Sequence, residues 1–371
     1  MALTKYKLGD LIELVNETNS KLLFGVNDVK GMTITKEIIP TKANVKDADL
    51  SKYLVVKPNE FIYNPRTHGK KIGFGYNNTE DTFIISWNNI AFKVKKSMEM
   101  IVLSDYLFLN FKRDEWDREA CFQSWGSSTE VFSWETLCDM NIELPPLPIQ
   151  QKFVDIYNGM VANQQSYERG LEDLKLVCDA YIEDLRRNMP SESIGTYIIR
   201  HDVRNGINGT KNVMGVSTSK EFREPTSKVN KNELSNYKVV EPRQIAFVQT
   251  THNEKVFAYA FNNIGIDIVV TSVNEVFSCN EERLLPEYLC MFFNRPEFDR
   301  YVRFHSWGSA RETFTWTDLI QVEIPIPDIN TQKSIANIFN IYKERKQINE
   351  KLKAQIKEIC PILIRGSLEE G

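Results

Sequence analysis

A chain of 371 residues, 42% hydrophobic and 26% charged, carries enough apolar material for two or three packed domains and is not a disordered or low-complexity segment. A net charge of −4 argues against a uniformly basic nucleic-acid binder. No apolar run approaches the roughly 18 residues that span a bilayer, and residues 1–7 lack the apolar core of a signal peptide, so a cytoplasmic location is expected.

In chain order, residues 53–56, 60–63, 82–87 and 90–94 are β-branched and aromatic runs separated by Gly, Asn and Pro, which predicts short strands and loops. Helices follow. Ser104 opens an apolar helical run, and Ser133 reads as the N-cap of another short helix. Residues 144–148 (Leu-Pro-Pro-Leu-Pro) form a connector expected to be extended, because Pro resists both helix interior and central strand. A heptad stripe then runs Phe153, Ile156, Met160, Asn163, Tyr167, Gly170, Leu174, Val177 and Tyr181. A helix of about 35 residues is roughly 50 Å long at 1.5 Å per residue, which makes it a spacer.

The same plan then returns. Phe122-Gln-Ser-Trp-Gly-Ser matches Phe304-His-Ser-Trp-Gly-Ser at an offset of 182, Glu130, Phe132 and Trp134 match Glu312, Phe314 and Trp316, and Gln150 matches Gln332. Upstream, Leu50-Ser-x-Tyr-x-Val-Val returns at Leu234, and Thr67-His68-x-x-Lys71 returns as Thr251-His252-x-x-Lys255. Pro286 opens the counterpart of the Ser104 helix, Thr315 matches the Ser133 cap, and residues 324–327 form the second connector. The second stripe runs Ile335, Ile338, Tyr342, Arg345, Asn349, Leu352, Ile356, Ile359 and Leu363, with polar interruptions midway as in the first. The expected fold class is α+β: two pseudo-symmetric mixed α/β modules joined by two long antiparallel coiled-coil helices. The expected boundaries are a first module over 1–148, a central spacer helix over 149–190, a second module over 191–330 and a distal spacer helix over 331–371. A duplicated binder mirrors a target that also comes in two parts.

Charge supports a patterned surface. Residues 21–76 hold ten Lys or Arg against five acids, and residues 200–258 hold ten against six, leaving a net of −13 for the rest of the chain. Within these segments the equivalent loops at 66–71 and 249–255 differ at positions suited to reading bases. Arg66, His68, Lys70 and Lys71 stand in one, and Thr250, His252, Asn253 and Lys255 in the other. Arg reads guanine, Asn reads adenine and Lys positions phosphate. Lys30, Lys36 and Lys42, with Lys211, Lys220 and Arg223 in the second copy, are further candidate DNA contacts on polar loops. An ordinary solvated hairpin competes with this reading. The turns at Trp125 and Trp307 are expected to hold a buried tryptophan on the core, with phosphate binding as the alternative.

Catalytic signatures are absent: there is no P-loop, dinucleotide fingerprint, nucleophile elbow or H-E-x-x-H. Asn64-Pro65-Arg66 shares only its first two residues with the Asn-Pro-Pro-aromatic motif of amino-methyltransferases. The six cysteines form no C-x-x-C and the four histidines no zinc spacing, so reduced thiols in apolar positions and no metal are expected.

The Leu8-Gly9-Asp10-Leu-Ile opening, the Gly126-Ser127 turn leading to Phe132-Ser133-Trp134, and the Leu144-Pro-Pro-Leu-Pro-Ile-Gln150-Gln151 connector before a long helix all recur over residues 194–365. In these features the chain resembles the specificity subunits of type I restriction-modification systems over essentially its full length. The second connector departs from that pattern at Asp328-Ile-Asn-Thr-Gln332. The resemblance implies that each module is a target recognition domain reading one half of a bipartite double-stranded DNA target, with the helices setting the spacer. It implies a non-catalytic subunit that binds no cofactor itself. Its partners would be two methylation subunits using S-adenosylmethionine and restriction subunits using ATP and Mg²⁺. A coiled-coil scaffold that touches no DNA, and a nuclease or methyltransferase in its own right, are the competing classes.

Overall fold

The computed structural model describes residues 3–68, 71–124, 130–207, 209–226, 228–230, 233–250, 256–307 and 312–371. It divides into two units, Met1–Tyr167 with Ile348–Gly371, and Glu168–Gln347.

In the first unit β1 (Thr4–Lys7) leads through one helical turn, α1 (Leu8–Leu11), into β2 (Ile12–Val15). Then come β3 (Lys30–Met32), β4 (Ile38–Pro40), β5 (Leu54–Val56), β6 (Phe61–His68), β7 (Lys71–Tyr76), β8 (Phe83–Ile85) and β9 (Ile90–Val94). Next are α2 (Ser104–Phe111), α3 (Asp114–Phe122), α4 (Trp134–Asp139), β10 (Asn141–Leu144) and the long α5 (Leu147–Asn188). The central antiparallel sheet has the order β2-β9-β6-β7, flanked by the pairs β1-β10, β3-β4 and β5-β8. Alternation explains its two faces. Phe61 and Tyr63 on β6, Phe74 on β7 and Phe92 on β9 share one buried core with Phe111 and Trp116 from α2 and α3. Ile62 and Ala91 point the other way, into a second core with Val56 and Ile85. Phe61 stacks on Phe92 at 5.0 Å and Phe111 meets Trp116 edge-on at 5.1 Å, adding to the roughly 1.5–3 kcal/mol that burying each such side chain contributes. Gly75 permits the close approach of the outer hairpin, since a Cβ there would stand 2.8 Å from Ile38 Cγ1.

The second unit repeats the scheme. β11 (Ser191–Ser193), β12 (Ile198–His201), β13 (Gly215–Val216), β14 (Phe222–Arg223) and β15 (Lys238–Val240) precede β16 (Ile245–Val248), β17 (Tyr259–Phe261), β18 (Ile268–Val270) and β19 (Asn274–Cys279). α6 (Pro286–Phe293), α7 (Pro296–Phe304), α8 (Trp316–Leu319), β20 (Glu323–Pro325) and α9 (Ile329–Glu370) follow. The sheet runs β12-β19-β16-β17, with β11-β20, β13-β14 and β15-β18 beside it, so every strand has its counterpart ten numbers earlier. Ser133 and Thr315 cap α4 and α8 as expected, accepting hydrogen bonds from the backbone N–H of Thr136 and Asp318.

The repeated glutamine has a repeated task. The Gln150 side chain is fully buried, donates to the carbonyls of Ile101 and Pro145, both at 2.8 Å, and accepts from Leu103 N–H at 3.0 Å. Gln332 donates to Arg283 and Pro327 and accepts from Leu285 N–H. Each glutamine thus ties the first turn of a long helix to the entry of α2 or α6, where backbone groups are otherwise orphaned.

The long helices pair antiparallel. In the first unit Lys152 bonds to Glu370 and Gln164 donates to Asn349 at 3.0 Å, so α9 numbers fall as α5 numbers rise. In the second unit Gly170 lies against Arg345, while Ile182 shares a core with Ile335 and Phe339. The first helix corrects the expected register. Ile156, Val177 and Tyr181 are exposed, and the buried positions fall one residue later at Val154, Gln164, Leu171, Cys178 and Ile182. Each helix covers part of its module as well as its partner helix, so its apolar face is wide and a 3-4-3-4 template fits on either edge. The polar layer is therefore Gln164 with Asn349, and Asn163 is exposed. Pro148 also lies inside the first turn of α5, where its missing N–H is harmless, so the connector is shorter than expected.

Cys178, Cys290 and Cys360 are buried while Cys121, Cys138 and Cys279 are half-buried, so the expected apolar placement holds for three. Burial pushes the Cys290 thiol up to about 12. Among the described residues no helix is long and apolar enough to cross a membrane, and no cluster of His, Cys, Asp or Glu could hold a metal.

Candidate nucleic-acid interface

The loop at 66–71 is largely strand. β6 runs on to His68 and pairs Thr67 with Ile72 and His68 with Lys71, after a register shift between Tyr63 and Thr67. Asn64-Pro65-Arg66 makes that shift: Asn64 Oδ1 accepts from Arg66 N–H at 3.0 Å, and Pro65 has no N–H to offer the ladder. The three residues do structural work, and the bulge turns β6 toward a new partner. Arg66 pairs with Val131, and Phe132 N–H donates to Pro65 at 2.7 Å. Arg66 is exposed on this edge. Thr250 occupies the same place, paired with Thr313, with Phe314 N–H donating to Gln249 at 2.8 Å.

Among the remaining candidates in this loop, Lys71 is held by Asp114 at 2.9 Å, which raises its pKa and lowers that of Asp114. Lys70, His252, Asn253 and Lys255 lie outside the described residues, and of His68 only the backbone is described.

Lys36 and Lys220 require a correction. The sequence suggested solvated loop lysines, yet only 5% and 7% of their surface is exposed. Lys36 Nζ lies 2.9 Å from Asp117, donates to the Phe111 carbonyl and sits 4.9 Å over the Trp116 ring. Lys220 lies 2.9 Å from both oxygens of Asp299 and donates to the Phe293 carbonyl at 2.6 Å. Burial lowers both lysine pKa values. Each lysine also has a positive φ, 65° and 64°, in matching turns over Thr33-Ile-Thr-Lys-Glu and Ser217-Thr-Ser-Lys-Glu. These side chains fasten the outer hairpin to the core and cannot reach a phosphate without breaking an ion pair.

Lys42, Lys211 and Arg223 are exposed, and Lys30 is half-buried. Lys30 lines an open cleft of about 810 Å³ together with Asp28, Glu37, Asp81 and Asp105, a mixed-sign setting. The local positive charge counted in sequence is thus partly cancelled by acids from outside the segments: Lys57 pairs with Glu17, and Arg243 with Glu281 and Glu287.

The modules differ beside the strand edge that carries Arg66 and Thr250. Arg200 binds Glu275 bidentately at 2.8 and 2.7 Å, Lys238 lies 3.6 Å from the same carboxylate, and Gln249 donates to it. The equivalent first-module positions are Leu14, Ile90 and Leu54 by strand register. Gln249 is consequently aimed by a buried carboxylate, a feature the sequence pattern could not supply because the register was unknown. Trp307 also departs from expectation: it is 75% exposed, and its backbone exchanges hydrogen bonds with Thr313 at 3.0 and 3.2 Å. Trp125 lies outside the described residues.

Residues 208–358 match the family model described as the type I restriction modification DNA specificity domain. The match spans the second module from residue 208 and most of the helix that follows it, and is a similarity over that stretch of the chain. No curated protein matches. Among solved structures, the type I restriction-modification S subunit from M. genitalium is similar at 11% identity, with 99% of this chain and 96% of that one covered and a TM-score of 0.61, which shows the shared fold. The HsdS subunit from Thermoanaerobacter tengcongensis is similar at 13% identity, covering 99% and 96%, with a TM-score of 0.44. A chain from a study of complex assembly in the type I R-M system gives 13%, 99%, 98% and 0.49.

Proposed function

We propose that this chain is a sequence-reading DNA subunit of a type I restriction-modification assembly, each module reading one half of a bipartite duplex target. The observation that carries the reading is the recognition edge built twice: the end of the central strand pairs Arg66 with Val131 in one module and Thr250 with Thr313 in the other, the same frame bearing different side chains. Arg at one edge and Thr beside a carboxylate-held Gln at the other suit different bases. The modules take residues 1–148 and 191–330, with 149–190 and 331–371 as spacer helices that fix the number of unread base pairs and offer docking surface to two methylation subunits. Chemistry then belongs to partners: S-adenosylmethionine on the methylation subunits, ATP and Mg²⁺ on restriction subunits. The family description, a DNA specificity domain, supports this over a scaffold that touches no DNA.

A gel-shift titration of the chain with its partner subunits across a salt series tests the reading. DNA recognition gives affinity that falls steeply with salt and a bipartite footprint, whereas a scaffold gives no shift. Arg66→Ala is expected to relax one half-site by about 1–3 kcal/mol and leave the other unchanged. Removing one heptad from each long helix is expected to change the tolerated spacer and neither half-site. Altered base preference on helix shortening would end the ruler proposal.

A further inference from the structure

Trp307 is three-quarters exposed and pairs with Thr313, which pairs with Thr250. Residues directly opposite one another in an antiparallel pair project to the same face, at about 5 Å spacing. The indole of Trp307 therefore stands on the face that carries Thr250, roughly 10 Å across it by that spacing. The arrangement is specific to the surface. Trp316, nine residues on, packs against Phe277 and under Arg200, so this module already has its core tryptophan. The exposed helix end just before Trp307 carries Arg303 and Phe304, both exposed, and Phe122 repeats the exposed aromatic at the matching end of α3. An aromatic next to a cation on the border of a base-reading edge has the chemistry of a nucleic-acid stacking contact, in which the ring takes a base or sugar face and the guanidinium a phosphate.

We infer that Trp307 is an aromatic DNA contact of the second module, its ring lying against a base or deoxyribose at the border of the half-site read from the Thr250 edge. This rests on the DNA-recognition reading above and adds to it a residue that acts through stacking rather than through hydrogen bonds or charge. Such a contact tolerates any base, so it strengthens the grip on a half-site without narrowing its sequence.

The test uses the full chain assembled with its partner subunits and a duplex that the wild-type assembly selects from a random-sequence pool, with binding followed by fluorescence anisotropy over a range of salt. Trp307→Ala is expected to weaken binding on the order of tenfold, and Trp307→Phe to restore most of it. The slope of log affinity against log salt is expected to stay unchanged in both, because a neutral ring releases no counterions. Both variants should melt with the wild type, since the side chain is exposed. If Trp307→Ala binds the selected duplex as tightly as wild type, or loses affinity together with salt slope, the stacking contact is overturned while DNA recognition stands. If the wild-type assembly selects no duplex, the recognition reading fails and takes this inference with it.

Discussion

Lys36 and Lys220 each carry a charge into the interior and meet a single carboxylate there. Such a pair holds geometry more than it adds stability, because desolvation offsets most of the attraction; removing one partner, however, strands the other. Asp117→Asn is therefore expected to cost about 3–5 kcal/mol in urea unfolding, and the added change Lys36→Met to recover most of it. The pH dependence follows. Burial already holds the Lys36 pKa below its ordinary 10.5, and loss of Asp117 lowers it further. Above that lowered value the folded state releases a proton that the unfolded state still binds, so the variant's deficit should shrink as pH rises toward 10.5. A deficit that stays constant through the alkaline range would contradict this account. At this scale the sequence was a poor guide. Lysine in a polar turn reads as solvated, and only the contacts of Asp117 and Asp299, some 80 residues away in each module, reveal otherwise. Arg66 kept its exposed place, while Trp307 was assigned to the core because tryptophan usually is buried.

At the scale of elements, repetition did what periodicity alone could not. Strands of three or four residues give weak individual signals, yet the match of Phe132 to Phe314 and of Gln150 to Gln332 made both modules legible as one plan. Helix register was lost for α5, where the correct stripe passes through Gln164 rather than the more conspicuous Ile156 and Tyr181. Gln164 and Asn349 form a buried amide pair, the kind of contact that fixes alignment in paired helices. Gln164→Leu alone is expected to cost about 1–3 kcal/mol by leaving Asn349 underbonded. The double change with Asn349→Leu should recover that loss or exceed wild-type stability. Thermal melts of the four proteins in this cycle measure the coupling, and independent, additive losses would mean the two amides do not act as a pair.

At the scale of the whole molecule, the two units are unlike in how the chain builds them. Glu168–Gln347 is one continuous stretch, whereas the other unit joins Met1–Tyr167 to Ile348–Gly371. Cys360 and Ile364 belong to the same core as Phe61 and Tyr106, and Tyr106 shares a hydrogen bond of 2.6 Å with Ser367. Truncation after Gln347 is expected to leave hydrogen-exchange protection in β16 and β19 close to that of the full chain, and to lower it sharply in β6 and β9. Equal loss in both sheets would show that the units are not separable. The same discontinuity has a consequence during synthesis. The module that emerges earlier closes later, since residues 348–371 that complete it are translated after Glu168–Gln347, while the later module can consolidate as soon as its own stretch has emerged. For the interval between, a nascent chain displays an unfinished aromatic core within residues 1–167, and that is where chaperone capture and mispairing with a neighbouring copy should concentrate.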